Sequence, residues 1–279
     1  MEKNRTLARL GGQKCKIWTC VQGLLASFDM TRASASTAGA ESPEVLLRKA
    51  TLARSAAARA KYARRGLQSP GRLDSTTRTM LLRQLYLSHM EGRRFAEALA
   101  VAKKMVDLRV MPDVARQDAA RACLGLGDFQ GAVHELRLAS RVSPPGRRAF
   151  HLWTLGSVLY LNGHAHAAVG VLERAARWGT RDKPLYQAQL ELARRACGEA
   201  EQDLEVLWAR LEGAPCGQGY GQFVLGELAY EAGDYEPARR YLQAFVERTT
   251  SGRVALAVAL DGELRRAQEL LARIDLPGS

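Results

Sequence analysis

The stretch Leu225-Gly226-Glu227-Leu228-Ala229-Tyr230-Glu231-Ala232-Gly233-Asp234-Tyr235-Glu236-Pro237-Ala238-Arg239-Arg240-Tyr241-Leu242 decides the fold. Apolar and small residues at helical spacing run to a Gly-Asp break, and a second helical pattern opens on the small residue Ala238. The break recurs at Gly92-Arg93-Arg94-Phe95, Gly127-Asp128-Phe129, Gly163-His164-Ala165 and Gly198-Glu199-Ala200, with a compressed copy at Gly262-Glu263-Leu264. The residues that close the breaks (98, 132, 168, 203 and 238) are 34, 36, 35 and 35 apart. A period of that length comes before any count of globular domains.

Each copy has about a dozen helical residues on either side of its break. Leu81, Leu82, Leu85 and Tyr86 precede the first break, and Leu99, Ala102, Met105 and Val106 follow it, at the spacing of one helix face. Glycine at the break supplies a left-handed cap for the first helix, and a small residue lets the second pack close. Pro112, Pro144, Pro184 and Pro215 mark the ends of units. A single helical hairpin cannot bury both its stripes, so the units must stack.

These residues resemble the tetratricopeptide repeat (TPR) family. Leu155-Gly156 with Tyr160, Gly163, Ala168, Leu172 and Ala175, and Leu225-Gly226 with Tyr230, Gly233-Asp234-Tyr235, Ala238 and Leu242, carry the pattern most fully. Ala119-Ala120, Gly127-Asp128-Phe129, Ala132, Leu136, Ala139 and Pro144 come next. The copy over 184–217 departs, with Glu191 where a small residue is expected and Asp203 where Ala is usual. The resemblance implies an all-α, right-handed α-α superhelix of about five hairpins over 79–252, closed by a shortened capping pair in 253–279.

Upstream, the chain changes character. Of the net charge of +12, residues 1–78 hold 15 basic and 5 acidic side chains, leaving 26 and 24 for residues 79–279. The excess is therefore an N-terminal property, and the solenoid itself is nearly neutral. Residues 1–42 read as a disordered or leader segment. Its apolar run Ile17–Phe28 is too short and interrupted for a membrane span. Lys14, Lys16 and Ala38-Gly39-Ala40 give it a faint export-signal outline, and a start at Met30 would remove the run altogether. Residues 43–78 are expected to form a basic helical cap, a degenerate first unit, with one helix over 43–65 capped by Ser42 and opened by Pro43. Its buried face takes Leu46, Leu52 or Ala53, Ala56, Ala60 and Ala63.

The resemblance places the first helix of each hairpin on a concave groove, and with it Arg83, Arg121, Phe150, Trp153, Tyr160, Arg195, Tyr220, Phe223 and Tyr230. Large amphipathic rings suit a partner peptide or helix, and two or three of the six are expected to stay exposed. Arg83 could serve a carboxylate clamp, but Leu87 stands where that clamp needs Asn. The expected function is a non-catalytic adaptor or assembly chaperone that holds a protein segment, in the cytoplasm and without a cofactor. Arg59, Lys61, Arg64 and Arg65 support a second reading, contact with nucleic-acid phosphates, and an export signal would support a third, an envelope-associated assembly factor.

Catalytic readings lack residues. His164-x-His166 has no third metal ligand in the sequence pattern, and Gly217-Gln218-Gly219-Tyr220-Gly221 follows no strand and lacks the Lys-Ser/Thr of a phosphate loop. The five cysteines, at 15, 20, 123, 197 and 216, form no framework and read as reduced thiols, Cys123 as a small core residue.

Overall fold

The computed structural model describes residues 41–70, 72–180, 182–212 and 219–275. The leader with its apolar run, Cys15, Cys20, Cys216 and Gly217-Gln218 lie outside these. Among the described residues there are fourteen helices and no strand. They are α1 Pro43–Leu52, α2 Ala56–Leu67, α3 Ser75–Glu91, α4 Phe95–Asp107, α5 Pro112–Gly125, α6 Phe129–Val142 and α7 Pro145–Leu161. Then follow α8 Ala165–Trp178, α9 Lys183–Ala196, α10 Leu204–Leu211, α11 Tyr220–Glu231, α12 Tyr235–Thr250, α13 Val254–Ala259 and α14 Asp261–Ile274. None is long and apolar enough to cross a membrane.

The turns between paired helices share one backbone geometry. Residues 93, 127, 163, 198 and 233 all have positive φ, between 51° and 81°. In each turn the next N–H reaches back five residues: Arg94 to the His89 carbonyl, Asp128 to Cys123, His164 to Leu159, Glu199 to Arg194 and Asp234 to Ala229, at 2.8–2.9 Å. This is the left-handed C-terminal motif that satisfies carbonyls a helix end leaves orphaned. Four of the five positions are glycine. In the first turn the left-handed residue is Arg93 (φ 51°), while Gly92 keeps a negative φ of −85°. Arg93→Gly is therefore expected to raise stability by about 1 kcal/mol, because a side chain is disfavoured there. Its exposed ion pair with Asp261 (3.2 Å) offsets little of that gain. Thermal melts of the two chains check the shift.

Within pairs, close approach needs the absence of a side chain. A Cβ on Gly156 would stand 2.5 Å from Leu172, and one on Gly226 2.7 Å from Leu242. Both leucines are fully buried, as are Ala98, Ala132, Ala168 and Ala238 at the opening of the second helices. The fourth turn is different. Asp203 is exposed and caps a late, short α10 by accepting from the Glu205 N–H (2.8 Å). Glu191 is buried and accepts from Arg194 (2.8 Å) and from the Gln202 N–H (3.3 Å), so an acid replaces the small residue by anchoring the irregular 199–203 segment. α9 packs directly on α11, past α10.

The N-terminal cap is two helices rather than one over 43–65. α1 ends at Leu52, and Ser55 caps α2 by accepting from the Ala58 N–H (3.2 Å). The break turns Leu52 outward, 70% exposed, and carries Arg59 into the core, 4% exposed. There Arg59 meets Glu91 and the Ala53 carbonyl, so its charge is spent on holding α2 to α3. Lys61, Arg64 and Arg65 stay exposed, and Arg65 pairs with Glu41 at 3.3 Å.

The C-terminal pair does more than cover the last hairpin. α14 packs on α11 and α12, but the six-residue α13 lies against α3 and α5, at the other end of the stack. Ala255 joins the core formed by Leu82, Tyr86, Met90 and Ala119.

A candidate binding site

Of the nine residues expected to line a groove, Arg83, Arg121, Phe150, Trp153 and Tyr220 border one space and Tyr160 joins Arg121 at a second, with the chain's own C-terminal segment among them; Arg195, Phe223 and Tyr230 lie elsewhere. From α5, Arg121 donates to the Ala259 carbonyl at 2.8 Å and to the Glu263 carboxylate at 3.4 Å. From α11, the Tyr220 hydroxyl donates to the same carboxylate at 3.2 Å. From α14, Arg266 donates to Glu227 of α11 at 2.9 Å, and Tyr160 of α7 donates to it at 3.1 Å. Burial pushes the Glu227 carboxyl up, against the pull of Arg266 and Tyr160.

Two spaces flank this contact. One is a mostly apolar cavity of about 140 Å³ walled by Leu87, Met90, Phe150, Trp153, Tyr220 and Leu256. Its polar lining includes Gln84, whose buried Oε1 has no hydrogen-bond partner, and Asp118, which accepts from Arg83 at 3.1 Å. Burial raises the Asp118 carboxyl despite Arg83. The other is a wider cleft of about 720 Å³ between the turn ends of α3, α5, α7 and α9 and the flank of α14. Charges of both signs line it, Arg93, Arg265 and Arg266 with Asp261, Glu263 and Glu269, and Arg121 faces both spaces.

None of the six rings expected in the groove is exposed. Trp153 (3%), Tyr220 (8%) and Phe223 (0%) are buried, and Phe150, Tyr160 and Tyr230 are half-buried. Trp153 stacks edge-on to Tyr220 (4.9 Å between centroids), and its indole N–H donates to Gln189 at 2.7 Å. Phe223 packs on Phe245 at 5.3 Å, inside the α11–α12 pair, so it belongs to the core rather than to a groove. The physical reason is cover from the next helix: Phe245 of α12, 1% exposed, lies over the ring. Arg83 is held by Asp118, while Arg195 is exposed and reaches Glu231 at 3.5 Å.

Away from this face, His164 stacks on Phe129 (4.7 Å), which separates it from His166. His166 instead meets Cys197 and Glu199, with ligand atoms within 4.8 Å of one another; His166 and Glu199 are exposed and Cys197 half-buried. The trio was hidden from sequence because its members come from two different turns. Cys123 is buried, and burial pushes its thiol up, away from reactivity. The chain matches no family model, and no curated protein matches it.

Proposed function

We propose that this chain is a TPR-type solenoid that acts without catalysis, as an adaptor or assembly chaperone holding a segment of another protein against its concave face. The observation that carries the reading is the turn repeated at 93, 127, 163, 198 and 233, with the same reach-back hydrogen bond each time. Regular stacking of helix pairs makes an extended concave surface, the part of such a scaffold that serves recognition. The cleft of about 720 Å³ on that surface, lined by charges of both signs, has the size and polarity for a peptide or helix edge.

The test is capture by position. A photo-crosslinking phenylalanine analogue is introduced in place of Leu161 on the cleft wall, of Val206 on the outer surface (67% exposed), or of Lys61 on the basic cap. Irradiation in the cells that make the protein should give a discrete protein adduct from position 161 and none from 206. Equal capture from 161 and 206 would count against the groove. Capture of nucleic acid from position 61 alone would move the function to the cap, where Arg48, Arg54, Lys61, Arg64 and Arg65 are exposed.

A further inference from the structure

The segment that fills the concave face is itself informative about what else could fill it. α13 has six residues, far below the length at which a helix holds itself, so its shape depends on what it touches. What it touches is sparse: Ala255 is buried, Leu256, Ala257, Val258 and Ala259 are half-buried, and Val254 is 57% exposed. A permanent core element is packed without voids, yet α13 borders a cavity of about 140 Å³ on one side and the wide cleft on the other. The buried Gln84 oxygen in that cavity receives no donor.

Its polar anchoring, by contrast, is specific. Ala255, Ala259 and Glu263 are four residues apart. The first enters the apolar core of α3 to α5, the second offers its carbonyl to Arg121, and the third offers a carboxylate to Arg121 and Tyr220. Arg121 thus faces a helix C-terminus, where cations are favoured, and an acid just beyond it. The two acceptors flank the α13–α14 junction: Ala259 ends the short, half-buried α13, and Glu263 lies in the first turn of α14, where it is 3% exposed.

We infer that α13 and the start of α14 are a displaceable occupant of the partner's seat, and that the partner presents the same chemistry: a short helix with small apolar residues, followed after one turn by a carboxylate that Arg121 and Tyr220 receive. A partner with a bulkier apolar side chain at the position of Ala255 would fill the cavity the resident segment leaves. This inference rests on the groove-binding reading and narrows it to one region of the concave face.

The test uses the full chain and a fluorescein-labelled peptide of residues 253–265, the part of the segment proposed to be displaced. In a Glu263→Lys chain the resident segment is repelled by Arg121 while Arg121 and Tyr220 remain. The peptide should bind that chain at least about tenfold more tightly than the wild type, the scale set by a lost charge-assisted hydrogen bond. A peptide that itself carries Glu263→Lys should bind neither. An Arg121→Ala chain should show faster amide exchange over 254–260, as Glu263→Lys should, and yet take up no peptide. In the wild type, 254–260 should exchange ahead of α6 to α8, by local opening. The inference is overturned by equal peptide binding to wild type and Glu263→Lys, by binding retained on Arg121→Ala, or by 254–260 exchanging only at the rate of global unfolding. If Glu263→Lys does not fold, wild-type exchange alone decides. An adduct from position 161 with no peptide binding would remove this inference and keep the groove, whereas peptide binding with no such adduct would leave a displaceable segment with no partner and overturn both.

Discussion

Replacing Asp113 by alanine is expected to cost about 3–5 kcal/mol, a large share of what holds a domain folded. Asp113 sits in the first turn of α5 and is 0% exposed. Its carboxylate accepts from the Arg147 side chain at 2.8 and 2.9 Å and meets His151 Nε2 at 3.0 Å. An ionised carboxylate only accepts, so that imidazole nitrogen carries the proton. The alanine would remove the carboxylate that a buried histidine and a half-buried arginine share between α5 and α7. The same carboxylate sets an acid limit. Burial alone would push its titration up, but the bonds from His151 and Arg147 outweigh burial and hold it well below the ordinary carboxylate range. The unfolded chain, titrating near about 3.9, then binds the proton first as pH falls. Stability from Asp113 is thus complete above about pH 4 and is lost progressively below it, toward the folded-state value. Denaturant titrations across pH 2.5–7, numbers set by that window, should show a shallower acid slope for Asp113→Asn than for wild type. Equal slopes would mean that this carboxylate is not what titrates.

Phe223→Ala is the second large effect, again about 3–5 kcal/mol, the loss of a buried ring plus the cavity it leaves. The ring has no exposure and packs against Tyr220 and Phe245 at centroid distances of 5.7 and 5.3 Å. Tyr220 in turn holds Trp153 and Glu263. Removing the ring should therefore lower the melting temperature and loosen α14 together. Tyr230→Ala, at a half-buried ring on the edge of the core beside Tyr235, should cost much less. A small melting shift for Phe223→Ala, comparable to that of Tyr230→Ala, would return Phe223 to the surface.

The turns were legible in sequence because a left-handed residue leaves a mark, glycine, at four of its five positions. The cap's break between α1 and α2 was not, because Ala, Leu and Arg continue good helix formers straight through 53–55, and only Ser55 signals a new start. The candidate site was half legible. Phase along a first helix places Arg83, Arg121, Phe150 and Tyr160 on it, but says nothing of what lies over them. The return of α13 onto α3 and α5 joins residues more than a hundred apart, as Arg121 and Ala259 show, and such contacts leave no periodic trace. One signal was there: Val254-Ala255-Leu256-Ala257-Val258-Ala259-Leu260 has no polar face at all, which suits a segment touched from more than one side.

The polar contacts between successive helix pairs carry a further consequence. Arg83 with Asp118, Asp113 with Arg147, and Trp153 with Gln189 each reach 34 to 36 residues along the chain, one step of the stack. Two are Arg–Asp ion pairs of opposite polarity, with the cation on the earlier unit in one and on the later unit in the other, and the third is an indole–amide hydrogen bond. Look-alike hairpins run the risk of docking in the wrong order, a known failing of modular chains. Here three successive junctions differ in the polarity or the chemistry of that contact. The modules are alike in backbone but not interchangeable: a chain with two of them transposed would bury an arginine against an indole and an aspartate against an amide.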